Sequence, residues 1–173
     1  MHRTLDRILV PIDFSAYSAE ALQIAATIGE RFFSTLFMLH VIPKEVEVHA
    51  AHVHLGHAGS PLLGAFSDSI EVPSEVQETI TIDLRDRAQT AMQEFLPPEL
   101  SYQQLELLVK VGTPYEQILQ AAQDQHTDLI VMGTHGRSGL IHTVLGSVAE
   151  RVLRLAPCPV LTVKATPHPS PVL

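Results

Sequence analysis

The segment DLIVMGTHGRSGLIHTVLGSVAERVLRLAPCPVLTVK, residues 128–164, carries three structural signals in succession. Leu129 to Met132 form a continuous apolar run, the glycine-containing stretch GTHGRSGLIHTVLGS follows, and SVAERVLRLA then has helical spacing until Pro157 and Pro159 force an exit into PVLTVK. A strand buried on both faces reads as an unbroken apolar run, and proline stops a helix because it lacks an N–H and restricts the residue before it. The spacing predicts strand, loop, helix, strand. Ser147 is the expected N-cap of the helix, with Glu150 three residues on completing a capping box.

The same alternation extends upstream. RILVPID is a short apolar strand that ends at Asp13, and SAYSAEALQIAATIGERFF is a helix. That helix places Leu22, Ala25, Ala26, Gly29 and Phe33 on one side, with Ser15 or Ser18 as its cap. TLFMLHVI, residues 35–42, is a second buried strand, in which His40 is expected as a packed core residue. From Glu75 a helical stripe runs through Val76, Ile80, Leu84, Ala88, Ala91, Met92 and Phe95 to Pro97 and Pro98. YQQLELLVKVG predicts a third strand, and Thr113, Pro114 and Glu116 mark the start of another helix. Residues 43–74 break the rhythm and read as a surface excursion between the second strand and the second helix. The domain is expected over 1–165, with 166–173 as a flexible proline-rich tail.

A β-α-β, excursion, α-β-α-β-α-β order predicts a Rossmann-like α/β fold, a five-stranded parallel sheet with helices on both faces. In the doubly wound order 3-2-1-4-5, strands one and four are neighbours and the winding reverses between them, which opens a crevice at their carboxyl ends. Asp13 and Gly133 fall at that crevice.

Composition narrows the function. A chain of 173 residues with 46% hydrophobic residues suits one domain with a full core. A formal net charge of -8 argues against nucleic acid held by phosphate neutralisation. One cysteine, Cys158, excludes an intramolecular disulfide, no run reaches membrane-spanning length, and no signal peptide is evident, so a soluble cytoplasmic chain is expected.

Glycines lacking a Cβ let backbone N–H groups approach a phosphate closely, and a helix N-terminus adds the positive end of its dipole. The stretch 133–147 therefore suits a di- or triphosphate. It lacks the lysine of a Walker A loop and the first spacing of a dinucleotide fingerprint. On spacing alone, a plain strand-to-helix connection stays equally open.

The ordered detail resembles the universal stress protein family, whose nucleotide-binding members carry Gly, two residues, Gly, nine residues, Gly, Ser/Thr. Here those positions are Gly133, Gly136, Gly146 and Ser147. ILVPIDFSAYSAEAL and APCPVLTV resemble the family's opening and closing segments. The resemblance implies an adenine nucleotide alpha hydrolase-like fold that binds ATP, with Mg²⁺, as a regulatory or protective ligand in a stress response. Gly133, Gly136, Gly146 and Ser147, with Arg137 and Val148 beside them, would contact the phosphates. Asp13 would accept a hydrogen bond from the ribose, and Pro11, Ile12, Val41 and Met132 would wall the adenine site. It further implies at most slow ATP hydrolysis and a homodimer through the final strand, Pro159 to Lys164. An apolar edge strand also invites cover by another chain on physical grounds.

The excursion holds His49, His52, His54 and His57 within nine residues, a spacing that can converge on one metal ion. A slow ATP hydrolase at the same site is the first alternative reading, and a metal- or partner-responsive module using this excursion is the second. No nucleophile-and-base constellation is apparent in the sequence.

Overall fold

The computed structural model describes residues 5–44, 46, 74–98, 104–134 and 145–164. The elements are β1 (Arg7–Ile12), α1 (Ala16–Phe32), β2 (Thr35–Ile42), α2 (Ser74–Phe95), β3 (Leu105–Val111), α3 (Pro114–Asp124), β4 (Leu129–Gly133), α4 (Ser147–Leu155) and β5 (Val160–Val163). The strands form one parallel sheet in the order β3-β2-β1-β4-β5.

The central strands are buried on both faces, as their continuous apolar runs require. Alternation along β1 sends Ile8, Val10 and Ile12 to one face, where α1 and α2 contribute Leu22, Ala25, Ala26 and Met92. It sends Leu9 to the other, where α3 and α4 contribute Ile118, Ala121, Ala122, Ala149 and Val152. Each fully buried leucine, isoleucine or methionine in these layers contributes about 1.5–3 kcal/mol. At the β3 edge, Lys110 Nζ bonds Asp124 Oδ2 at 2.9 Å and ties the strand to the end of α3. The Lys110 bond, followed by one from Gln120, holds the Asp124 carboxyl below its ordinary pKa.

Local chemistry sets the helix ends. Ser15 caps α1, its Oγ accepting from Ser18 N at 3.3 Å. Phe33, expected on the core side, is instead 85% exposed. It is the C-cap residue, and its left-handed φ of 57° turns the side chain off the helical stripe. Thr113 stands at the N-cap of α3 with Pro114 at N1, but its side chain makes no cap bond. Glu116, expected to complete a capping box there, accepts from the Tyr115 hydroxyl at 2.8 Å. Among the described residues, no helix is long and apolar enough to cross a membrane.

Candidate functional site

The crevice is visible in the sheet register. The β1/β4 ladder joins Ile8 to Leu129 and Leu9 to Ile130 and stops there, although β1 continues to Ile12 and β4 to Gly133. Each strand keeps its outer partner beyond that point: Ile12 pairs with His40 of β2, and Gly133 with Val163 of β5. The sheet therefore parts between β1 and β4 at its carboxyl end, the switch point of this winding.

On the β1 side the turn is built from side chains. Asp13 Oδ1 accepts from Ser15 N at 3.1 Å and from Ser15 Oγ at 2.6 Å. Ser18 Oγ donates to Ser15 O at 2.9 Å, and Asp13 N donates to Ser18 Oγ at 3.4 Å. This network holds Phe14 at φ 65°, an uncommon conformation for a large residue. The Phe14 ring packs 4.5 Å from that of His40 and edge-on to Phe95 at 5.4 Å. His40 Nδ1 lies 3.0 Å from Ile12 O, and as the carbonyl only accepts, this nitrogen carries the proton. His40 is half-buried at the end of the sheet and braces β1, where the sequence suggested a plain core residue.

On the β4 side the construction is backbone and glycine. A Cβ on Gly133 would lie 2.7 Å from Tyr17 Cβ and 3.0 Å from the Tyr17 carbonyl carbon, so glycine is required for α1 to pass this close. Thr134 N donates to Val163 O at 2.8 Å, and Thr134 O accepts from Gly146 N at 2.7 Å, which closes the two ends of the 135–144 segment onto each other.

Gly146, not Ser147, is the N-cap of α4, and Ser147 is its first helical residue. The capping box expected at Ser147 is thereby corrected. Glu150 N donates to Gly146 O at 2.9 Å as the first intrahelical bond, which fixes the cap one residue earlier. Gly146 has φ -71° and ψ 152°, values any residue adopts, so conformation does not demand glycine there. With no side-chain cap, the amides of Ser147, Val148 and Ala149 have no acceptor among the described residues.

The apolar wall divides by face. Met132, Val41, Val148, Leu145 and Tyr115 belong to the α3/α4 side, and Pro11 follows Leu9 onto it by strand alternation. Ile12, which the resemblance grouped with them, packs into the opposite cluster with α1. Gly136, Arg137 and the histidines His49, His52, His54 and His57 lie outside the described residues. Among those described, no group of three or more metal-ligating side chains occurs.

Sequence reasoning missed Thr134, Tyr17, Tyr115 and Arg151. The Tyr115 ring carries the Arg151 guanidinium 4.7 Å from its centroid. Its pKa is held above the ordinary phenol value, chiefly by the bond to Glu116. A glycine directly after an apolar strand was the one signal for the Tyr17 approach.

A doubly wound parallel sheet, parted at its switch point beside an uncapped helix start, defines a class of Rossmann-like α/β chain. Similarity to known proteins makes the class specific. The universal stress protein family model matches residues 4–164, and the chain belongs to that family. It is 30% identical over 162 residues to universal stress protein MJ0577 of Methanocaldococcus jannaschii, covering 91% of this chain and 94% of that one. Against universal stress protein Sll1388 of Synechocystis it is 32% identical over 158 residues, covering 91% and 97%. The solved structure of MJ0577 superposes with TM-score 0.69 at 26% identity, covering 96% of this chain and 100% of that one. A universal stress protein solved in complex with cAMP shares the fold, with TM-score 0.55 at 21% identity and coverage of 95% and 100%.

Proposed function

We propose that this chain binds an adenine nucleotide, ATP first among them, in the crevice between β1 and β4, and acts as a stress-responsive regulatory or protective homodimer in the cytoplasm. The observation that carries the reading is the start of α4. Glycine occupies an N-cap whose conformation does not need it, and three amides beside the crevice lack an acceptor among the described residues. A phosphate chain supplies those acceptors and needs the room a side chain would fill. On this reading Gly133, Gly136, Gly146, Ser147 and Val148 surround the phosphates with Arg137 beside them. Asp13 takes the ribose, and Pro11, Val41 and Met132 line the base, with the main chain of Ile12.

A Mg²⁺ ion would accompany the phosphates, whose charge it would offset. Dimerisation is assigned to β5, an edge strand of four residues whose Leu161 is 39% exposed; Leu153 and Leu155 of α4 are exposed as well.

The test is mass spectrometry of small molecules released by denaturing natively purified protein. An adenine nucleotide in stoichiometric amount is expected, and its mass separates ATP from cyclic AMP. Release of no nucleotide, together with no ATP binding by calorimetry, overturns the reading.

A further inference from the structure

The amides of α4 are useful only if the helix is aimed correctly, and apolar packing, which is non-directional, is not the contact that sets an aim. Ala149 and Val152 are small and apolar, and burying them against the sheet fixes distance better than direction. The Gly146 bond to Thr134 pins the first residue alone. Beyond this apolar packing, a directional side-chain contact ties α4 to α3. It is Arg151, one turn beyond Ser147, with its guanidinium 4.7 Å from the centre of the Tyr115 ring. Tyr115 sits in the first turn of α3, at the same end of the sheet, and its ring is fixed twice. Its hydroxyl donates to Glu116 at 2.8 Å, and its ring packs on the cluster that holds Met132 and Ala149.

From this geometry we infer that Tyr115 and Arg151 brace α3 against α4 and are positioning residues that aim the first-turn amides of α4 at the phosphates of the ligand. The inference rests on the nucleotide reading above and assigns a phosphate-specific role to two residues outside the glycine pattern. Tyr115 acts through ring geometry, so its replacement leaves the Arg151 charge in place and separates aim from simple attraction. The brace acts on the phosphate end of the ligand and leaves the nucleoside end alone.

The experiment titrates ATP and, separately, adenosine into the full chain, into Tyr115→Met, Arg151→Met and the double variant, and into Tyr115→Phe. Methionine keeps apolar bulk without a ring or a charge. Each single methionine variant is expected to lose about two- to fivefold in ATP affinity, the scale of one partly exposed cation–π contact. Adenosine affinity should stay unchanged, the double variant should lose no more than either single, and Tyr115→Phe, which keeps the ring but not its hydroxyl bond to Glu116, should fall between the parent and Tyr115→Met. Unchanged ATP affinity in the methionine variants overturns the brace, as do additive losses or a parallel loss of adenosine. Should Tyr115→Met fold poorly by circular dichroism, Arg151→Met alone decides between these outcomes, since Arg151 is exposed. A parent chain that binds no ATP removes the nucleotide reading and the brace together, whereas a binding parent with unaffected variants removes the brace alone.

Discussion

Helices α1 and α4 both begin at the carboxyl end of the same sheet, and they begin differently. At α1 the protein supplies its own oxygens: Ser15 Oγ accepts from Ser18 N, and Asp13 Oδ1 takes both donors of Ser15. At α4 the cap is Gly146, and three amides are left without an acceptor among the described residues. Capping by a side chain is worth about 1 kcal/mol, so an uncapped start has a cost in the unliganded chain. On the proposed reading, the difference separates a helix end finished by its own side chains from one that a ligand completes; Thr113 of α3 also makes no cap bond, but there the cap is not glycine. It also separates two glycines that look alike in sequence: Gly133 is fixed by the Tyr17 approach, and Gly146 is not fixed by conformation.

Substitution can break this contrast, and the largest effect is expected at Gly133. Gly133→Ala drives a methyl against Tyr17 Cβ and backbone, and overpacking of this kind costs about 1–3 kcal/mol, read as a lower midpoint in urea denaturation. A midpoint equal to the parent would return Gly133 to the same standing as Gly146.

Next comes a matched pair of serines. Ser15→Ala should cost about 1 kcal/mol and Ser147→Ala close to nothing, because only the first is a cap. Equal losses in the two denaturation curves would place a working cap at Ser147 and dissolve the comparison.

A finer division falls at Asp13. The sequence suggests that Asp13→Ala weakens nucleotide binding with folding intact, but its carboxylate holds both donors of Ser15, so alanine should also cost about 1 kcal/mol of stability. Asp13→Asn keeps an acceptor oxygen. It should retain parent stability within about half a kcal/mol while ATP affinity by calorimetry falls severalfold. Parent-like affinity in both variants takes Asp13 out of the site.

The fold was largely legible because its signals are periodic. Apolar runs marked β1, β2 and β4, the prolines after α4 marked β5, a helical stripe marked α2, and the β-α alternation with one switch point gave the strand order. The site was legible at lower resolution. Spacing located the glycine stretch and Asp13 at neighbouring strand ends, since a topological rule connects them. It did not resolve the cap at Gly146, because Ser-Val-Ala-Glu matches a capping box whether or not the serine stands outside the helix. Nor did it foresee Ile12 facing away from Val41 and Met132, which follows from the pleat once Leu9 is placed. Phe14 gave no hint of its left-handed conformation, which is imposed by the Asp13 and Ser15 bonds and not by its own preference. Tyr115 and Arg151 lie far apart in sequence, and only the packing of α3 beside α4 brings them together.

The central claim, that α4 is left uncapped for a nucleotide, is tested most directly by calorimetric titration of ATP into the parent chain and Gly146→Asp. The backbone at Gly146 admits aspartate, whose carboxylate would give α4 the kind of cap α1 already has. The unliganded variant should gain about half a kcal/mol of stability and lose at least about tenfold in ATP affinity, through occupied amides and repulsion of the phosphates. A stabilised variant that binds ATP as the parent does would contradict the account.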